Sequence, residues 1–563
     1  MKIYDHNKTG TDLLEKGEYS HAISEFTKAI DNLLPSFTDA HYKRSLAYCN
    51  KGEYDLAIAD ATRAIEADSK HKGAYYNRGK AYFRKERFDM AISDLSKAIE
   101  FDPSCTEAYY LRGIAYRNEK EYEMAIIDLD KAISLNPSYV EAYYHRSIAY
   151  RDKEEYDKVI ADASKAIQLN PNYAEAYYSR SIAYLKKDQY EMAMADFDKA
   201  IQLDPHSADG YLNRGIAYYE KGEYRQAISD LNRTIGLTHS HALAYYYRGL
   251  VYREQGELDR AIADMTRAIE IKPDYLEAYC NRGITYQRKE RFEQAMADFS
   301  KAIEFAPSYI EAYLNRGLTY QREGNYDQAI IDLSRALEMN PGYAEAYQAR
   351  GTAYYNSGKN DLAIDDFNRL IELKPEISRA YYDRAIVYSF LNRHEQAIID
   401  LNAAIKLDPS LAAAHYARGL ARFNQQEYEL AIIDLDQAIQ LDPNMTEAYY
   451  RRGIANRFNQ EYDLSIADLT MVIKKRPKES QAYHDRGFTY YLNREYDLAI
   501  FDLTKAIEIK SGSASSHYIR GLTYKGKRKF DLAIADFKKA VSFSKDPDAA
   551  MAAKQEIQNL GGY

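Results

Sequence analysis

The chain of 563 residues has no Trp, three Cys, 13 Pro, and no stretch of eighteen consecutive apolar residues. Cys49, Cys105 and Cys280 lie too far apart in sequence for a disulfide framework or a metal knuckle, which fits a reducing compartment. No Pro/Ser/Gly-rich linker divides the chain, so the length reads as one array rather than as several joined domains. The absence of a long apolar run excludes a membrane-spanning helix, and the start MKIYDHNKTG lacks the apolar stretch of a signal peptide. A cytoplasmic protein with no membrane insertion is expected. Basic residues do not dominate either: 76 Lys and Arg stand against 85 Asp and Glu, a net charge of −9, which argues against a general nucleic-acid binder.

Chemistry-bearing motifs are absent as well. No Gly-rich phosphate loop, HExxH, GxSxG or paired Cys/His set occurs, so no catalytic residue, metal site or cofactor is expected, and the chain is not read as an enzyme. His239 and His241 lie close together only in a connection that lacks its Pro.

What is present is repetition, and 56 Tyr. The small residue inside a recurring AYYxRGxAY segment serves as an anchor: Gly10, Ser45, Gly79, Gly113, Ser147 and so on to Gly521, every step from Ser45 onward being 34 residues. The single step of 35 spans the DNLLPSFTDA connection. Tyr recurs four before and three after the anchor, which puts aromatic, small and aromatic residues on one face of a helix A. Ala, Asp, an apolar residue and Ala follow at twelve, fifteen, sixteen and nineteen after the anchor, as in Ala91, Asp94, Leu95 and Ala98, and mark one face of a helix B. KGEY or a variant links A to B, and Pro stands twenty-four after the anchor in eleven units, where it ends helix B. Ser104 to Glu107, Ser138 to Glu141 and Ser308 to Glu311 predict capping boxes for the next helix A.

These units resemble tetratricopeptide repeats over essentially the whole chain. Sixteen units cover residues 3–547, the first being 3–37 and the rest 34 residues each to 514–547; residues 548–560 read as a C-terminal capping helix. The resemblance implies an all-α fold, an α-solenoid whose sixteen antiparallel helix pairs wind into a right-handed superhelix. It also implies a non-catalytic scaffold that binds peptide or protein segments in a concave groove lined mainly by A helices. Tyr stands where Trp is common in the family.

Two departures from the family pattern carry physics. Arg precedes the anchor in fifteen of the sixteen units, and Asp lies fifteen after it in the same fifteen; unit one has Thr9 and Glu25 instead. A structural ladder of Arg–Asp pairs follows, formed either within a unit or between neighbouring units, with Arg78, Asp94, Arg214, Asp230, Arg316 and Asp332 among its members. On the groove side, Ile or Leu follows the anchor in twelve units and Tyr stands three before it in ten. Family members that clamp a C-terminal carboxylate use basic residues six before the anchor and Asn just after it; this chain usually has Glu, and Ile or Leu, so a chaperone-tail clamp is disfavoured. The candidate peptide-binding groove comprises Tyr76, Tyr110, Tyr144, Tyr178, Tyr246 and Tyr450, with Asn77, Asn213, Asn281 and Asn315 at the most variable position. Many of these side chains also suit plain packing of A helix on A helix.

Units twelve to fifteen break the pattern, with Arg422 and Asn456 replacing a repeated Tyr and Phe390, Phe423, Phe458 and Tyr491 added. These four form a candidate aromatic patch. Basic residues ending several A helices, Arg117 and Arg253 among them, suit an acidic ligand or the helix dipole, and Lys474–Lys478 suits an import signal or the dipole. The alternatives to a scaffold are a self-assembling structural element and, further off, an RNA-reading helical array.

Overall fold

In the computed structural model, residues 2–31 and 38–561 are described; most of the DNLLPSFTDA connection lies outside them. They form 33 helices and no strand, and the fold is an all-α solenoid. The chain divides into two compact bodies, Met1–Asn281 and Arg282–Tyr563. Within each body, successive helices pack as hairpins, each hairpin packs on the next, and A helices also touch A helices.

One unit shows why these residues form these elements. Helix A, Lys72–Arg84, is followed by helix B, Phe88–Phe101. Between them Glu86 adopts φ 57° while its N–H bonds Phe83 O and that of Arg87 bonds Tyr82 O, closing the last turn of A. Gly17, Gly52, Gly222, Gly256, Gly324 and Gly358 fill the same left-handed position elsewhere, which accounts for the KGEY signature. Helix B ends where Asp102 turns extended ahead of Pro103.

The core is built from close approach. A Cβ on Gly79 would come within 2.9 Å of Leu95 Cγ, and one on Gly283 within 2.6 Å of Phe299 Cε1. Where the anchor is Ser45 or Ser147, the facing B residue shrinks to Ala61 or Ala163, so the volume is conserved across the pair. Ala91, Leu95, Ile99 and Ala108 form one cluster that continues from B into the next A helix. Burying a Leu such as Leu95 contributes about 2 kcal/mol.

The expected capping boxes do not form. Helix A after Pro103 begins at Thr106 with Cys105 at the N-cap, one residue later than the box needs. Ser104 instead bonds Asp102 through both its N–H and its hydroxyl (3.1 and 2.7 Å), and Ser138 does the same with Asn136. The turn ahead of the helix captures the serine first. Tyr309, not Ser308, is the N-cap in the third case. The C-terminal helix runs Pro547–Asn559, capped by Asp546, and lays Ile557 against Ala533 and Phe537.

Candidate functional site

Arg78 shows the pattern of the ladder. Arg78 donates from Nε and Nη2 to the two oxygens of Asp94 (2.7 and 2.8 Å), across the hairpin of its own unit. Its Nη1 donates to Thr62 Oγ1 (3.0 Å) on the B helix of the preceding unit. The same fork joins Arg214 to Asp230 and Asp198, and Arg316 to Asp332 and Ser300. The acceptor seventeen after the anchor was not singled out from the sequence, because it varies among Thr, Ser, Asp and Asn; what stays constant is a short side chain bearing an oxygen. The repeated tyrosines flank the guanidinium: Arg112 Cζ lies 5.7 Å from the ring of Tyr109 and 5.8 Å from that of Tyr116. The aspartates are buried, and burial holds the Asp162 carboxyl above its ordinary range although Arg146 opposes the shift. In unit one, which lacks the Arg, His6 Nδ1 pairs with Glu25 at 2.6 Å.

The groove candidates fall into three groups. Asn77 is 1% exposed and donates to Ser45 Oγ (3.2 Å), so burial withdraws it from any groove surface. Tyr178, Tyr246 and Tyr450 are half-buried and tied to the following unit: Asn213 donates to Tyr178 Oη (2.5 Å), Asn281 to Tyr246 Oη (2.9 Å), and Tyr450 donates to Asp485 (2.7 Å). Arg253 and Arg457, at the ends of their A helices, complete two of these bridges by donating to Asn281 (2.5 Å) and Asp485 (2.9 Å). Asn315 donates back to Glu311 O in its own helix (2.8 Å).

Tyr76, Tyr110 and Tyr144 form the third group. They are half-buried, their rings pack on neighbours such as Tyr139 and Tyr173, and none of their hydroxyls has a hydrogen-bond partner among the described residues. Burial pushes the hydroxyls of Tyr110 and Tyr178 up to about 12, so they stay protonated as donors.

Three of the four patch residues lie in one aromatic run at the A–B turns. Phe423 and Phe458 meet edge-on at 5.9 Å, and Tyr428 stacks on Phe458 at 4.9 Å. Arg457 then lies over Phe458 and Phe488, and Phe488 stacks on Tyr491 at 6.3 Å. Phe390, 64% exposed, instead meets Tyr355 at 5.9 Å. The replaced tyrosines are compensated inside the ladder: Arg422 donates to Asp434 (2.9 Å) and Asn456 to Asp468 (3.3 Å).

His239 bonds Ile235 O and His241 lies 4.0 Å from Asp209; among the described residues no group of His, Cys, Asp and Glu could hold a metal. Lys475, in the last turn of its helix, bonds Pro443 O, and Arg476 pairs with Glu447. No helix among the described residues is long and apolar enough to cross a membrane.

A search of curated proteins finds no match. Among solved structures, the chain is 17% identical to one in the APC/C hetero-tetramer Cut9-Hcn1, covering 79% of this chain and 95% of that one, with a TM-score of 0.37. It is 17% identical to yeast Tom70 over 76% of this chain and 96% of that one, TM-score 0.34. It is 26% identical to YrrB, described as a TPR protein with an unusual peptide-binding site, over 33% of this chain and 97% of that one, TM-score 0.30. Models of the tetratricopeptide repeat match residues 7–377 without a gap, and then 391–445, 480–512 and 514–547. Proteins of this family generally act as protein–protein interaction scaffolds. On that coverage, together with the paired helices, the chain belongs to the tetratricopeptide repeat family.

Proposed function

We propose that the chain is a non-catalytic, cytoplasmic scaffold that binds peptide or protein segments along its A helices. The observation that carries this reading is the row Tyr76, Tyr110 and Tyr144, three consecutive units whose rings are fixed by packing and whose hydroxyls are unengaged among the described residues. Ordered aromatic bodies with free polar tips suit an extended segment, since little side-chain entropy is lost on binding. A photo-crosslinking residue in place of Tyr110 tests it. Polypeptide adducts should form there and fall away at a control position on the outer face of a B helix, such as Leu362. Equal labelling at both sites would sink the reading.

A second reading, self-assembly, draws on the outer faces of the B helices. Met124 and Ile127 are 41% and 58% exposed, and the equivalent Leu430 and Ile433 are 43% and 60% exposed. Light scattering across concentration separates the two readings: the scaffold stays at constant mass without a partner, while the assembling element grows.

A further inference from the structure

A cavity of about 640 Å³ opens at the C-terminal end of the second body, lined among others by His484, Lys510, Ser513, Ser515, Tyr518 and Lys545. Its origin lies in the repeat itself. In three other units the wedge between neighbouring A helices is filled by two tyrosines, one three before an anchor and one twenty-six after it. Tyr110 and Tyr139 meet at 4.8 Å, Tyr144 and Tyr173 at 5.3 Å, and Tyr246 and Tyr275 at 5.0 Å. The same two positions before helix Ala514–Gly526 hold His484 and Ser513. His484 Nδ1 turns to Ser516 Oγ (2.9 Å), Ser513 caps the helix by accepting from Ser516 N–H, and neither fills the space of a phenol ring.

The charge has changed together with the volume. Six before the anchor, where Glu107, Glu141, Glu175, Glu277, Glu311 and Glu345 stand, this end has Gln481 and Ser515. The residue that closes helix B, Asp102 or Asn136 in earlier units, is Lys510 here, and the Pro position holds Lys545 one unit later. Neither lysine's ammonium group has an ion-pair or hydrogen-bond partner among the described residues. Asp546 is also on the wall, but its carboxylate is engaged with Asp548 N–H at the start of the last helix.

We propose that this cavity binds an acidic peptide segment by taking one of its aromatic side chains into the space the repeat tyrosines leave, with flanking carboxylates held by Lys510 and Lys545. The ring supplies buried apolar area against Tyr518 and Ala540, and the lysines select for acidic neighbours. This rests on the peptide-binding reading above and assigns it a second place and a ligand chemistry.

The test is fluorescence anisotropy of the full chain with a labelled peptide, Gly-Asp-Glu-Phe-Glu-Asp-Gly. Saturable binding is expected, lost at least tenfold when Phe becomes Ala or when the acids become Asn and Gln. Ser513→Tyr introduces the ring that five other units carry at this position and should abolish binding, whereas Ser513→Ala, which removes the same N-cap but leaves the space open, should keep it. The exposed double change Lys510→Glu/Lys545→Glu leaves the packing alone and should weaken binding at least tenfold. No saturable binding, or binding indifferent to Ser513→Tyr and to the lysine changes, overturns the proposal. If the Tyr110 crosslinks form while this peptide fails, only this site falls; if both fail, the general reading falls with it.

Discussion

A guanidinium presents five N–H donors in a rigid fork, and Arg214 places three of them, two on Asp230 and one on Asp198. The two carboxylates are not equivalent. Asp230 is 7% exposed at its side chain and Asp198 63%. Asp230→Ala leaves a half-buried cation short of its main partner and should cost about 3–5 kcal/mol, whereas Asp198→Ala should cost about 0–1 kcal/mol. Denaturant melts of the two variants check the contrast; equal losses would mean that burial does not govern the ladder. His145 is a second residue with a sign to read. Burial, with a smaller contribution from Arg117, pushes its ring down to about 4, and its Nδ1 has no partner. The folded state therefore holds the neutral ring while the unfolded chain protonates near 6.5, so the stability this ring allows is present above pH 6.5 and is lost as pH falls towards 4. The loss attributable to this group is about 3 kcal/mol at most, and His145→Gln should flatten it in melts compared at pH 7.5 and pH 4.

Among the elements, the A–B turn is the place where residue choice and backbone disagree. Lys120 sits at φ 64° and Glu154 at φ 61°, where six other units use Gly. Lys120→Gly should gain about 1 kcal/mol in a thermal or denaturant melt, since the left-handed conformation costs an L-residue roughly that much. The hairpins, their period and the Arg and Asp positions are readable in the sequence because each is repeated with fixed identity, whereas the closing of each pair within its own unit comes from the geometry. The third ladder partner is not readable there, since Thr62, Ser96 and Asn232 share an oxygen at the end of a short side chain and no letter. Arg422 and Asn456 read in the sequence only as replacements of a repeated Tyr, and the geometry shows them bonding the ladder aspartates Asp434 and Asp468. The helix starts were misjudged by one residue because Asp102 and Asn136 compete for the serines.

At the scale of each body, the described helices pack on helices one or two places away in sequence, so stability accumulates locally. Hydrogen exchange read by mass spectrometry should then show graded protection. The Ala-rich B helices of inner units should exchange slowest and helix Pro547–Asn559, with only Ala553 and Ile557 buried, should exchange first. Uniform exchange across all helices would point instead to a single cooperative unit.

The arginine that spans two units also makes the array tolerant of editing in whole periods. Were residues 140–173 excised, Arg180 would lose Ser164 as its neighbour and meet Asp130, the group that Arg146 now contacts. The splice would bring together a donor and an acceptor that already know the same geometry, and every later unit would keep its own. A length change of 34 residues is therefore chemically silent at the seam, while one of 33 or 35 within a helix would set the donor at the seam against the wrong face. Growth and loss by complete units are written into the placement of a single side chain.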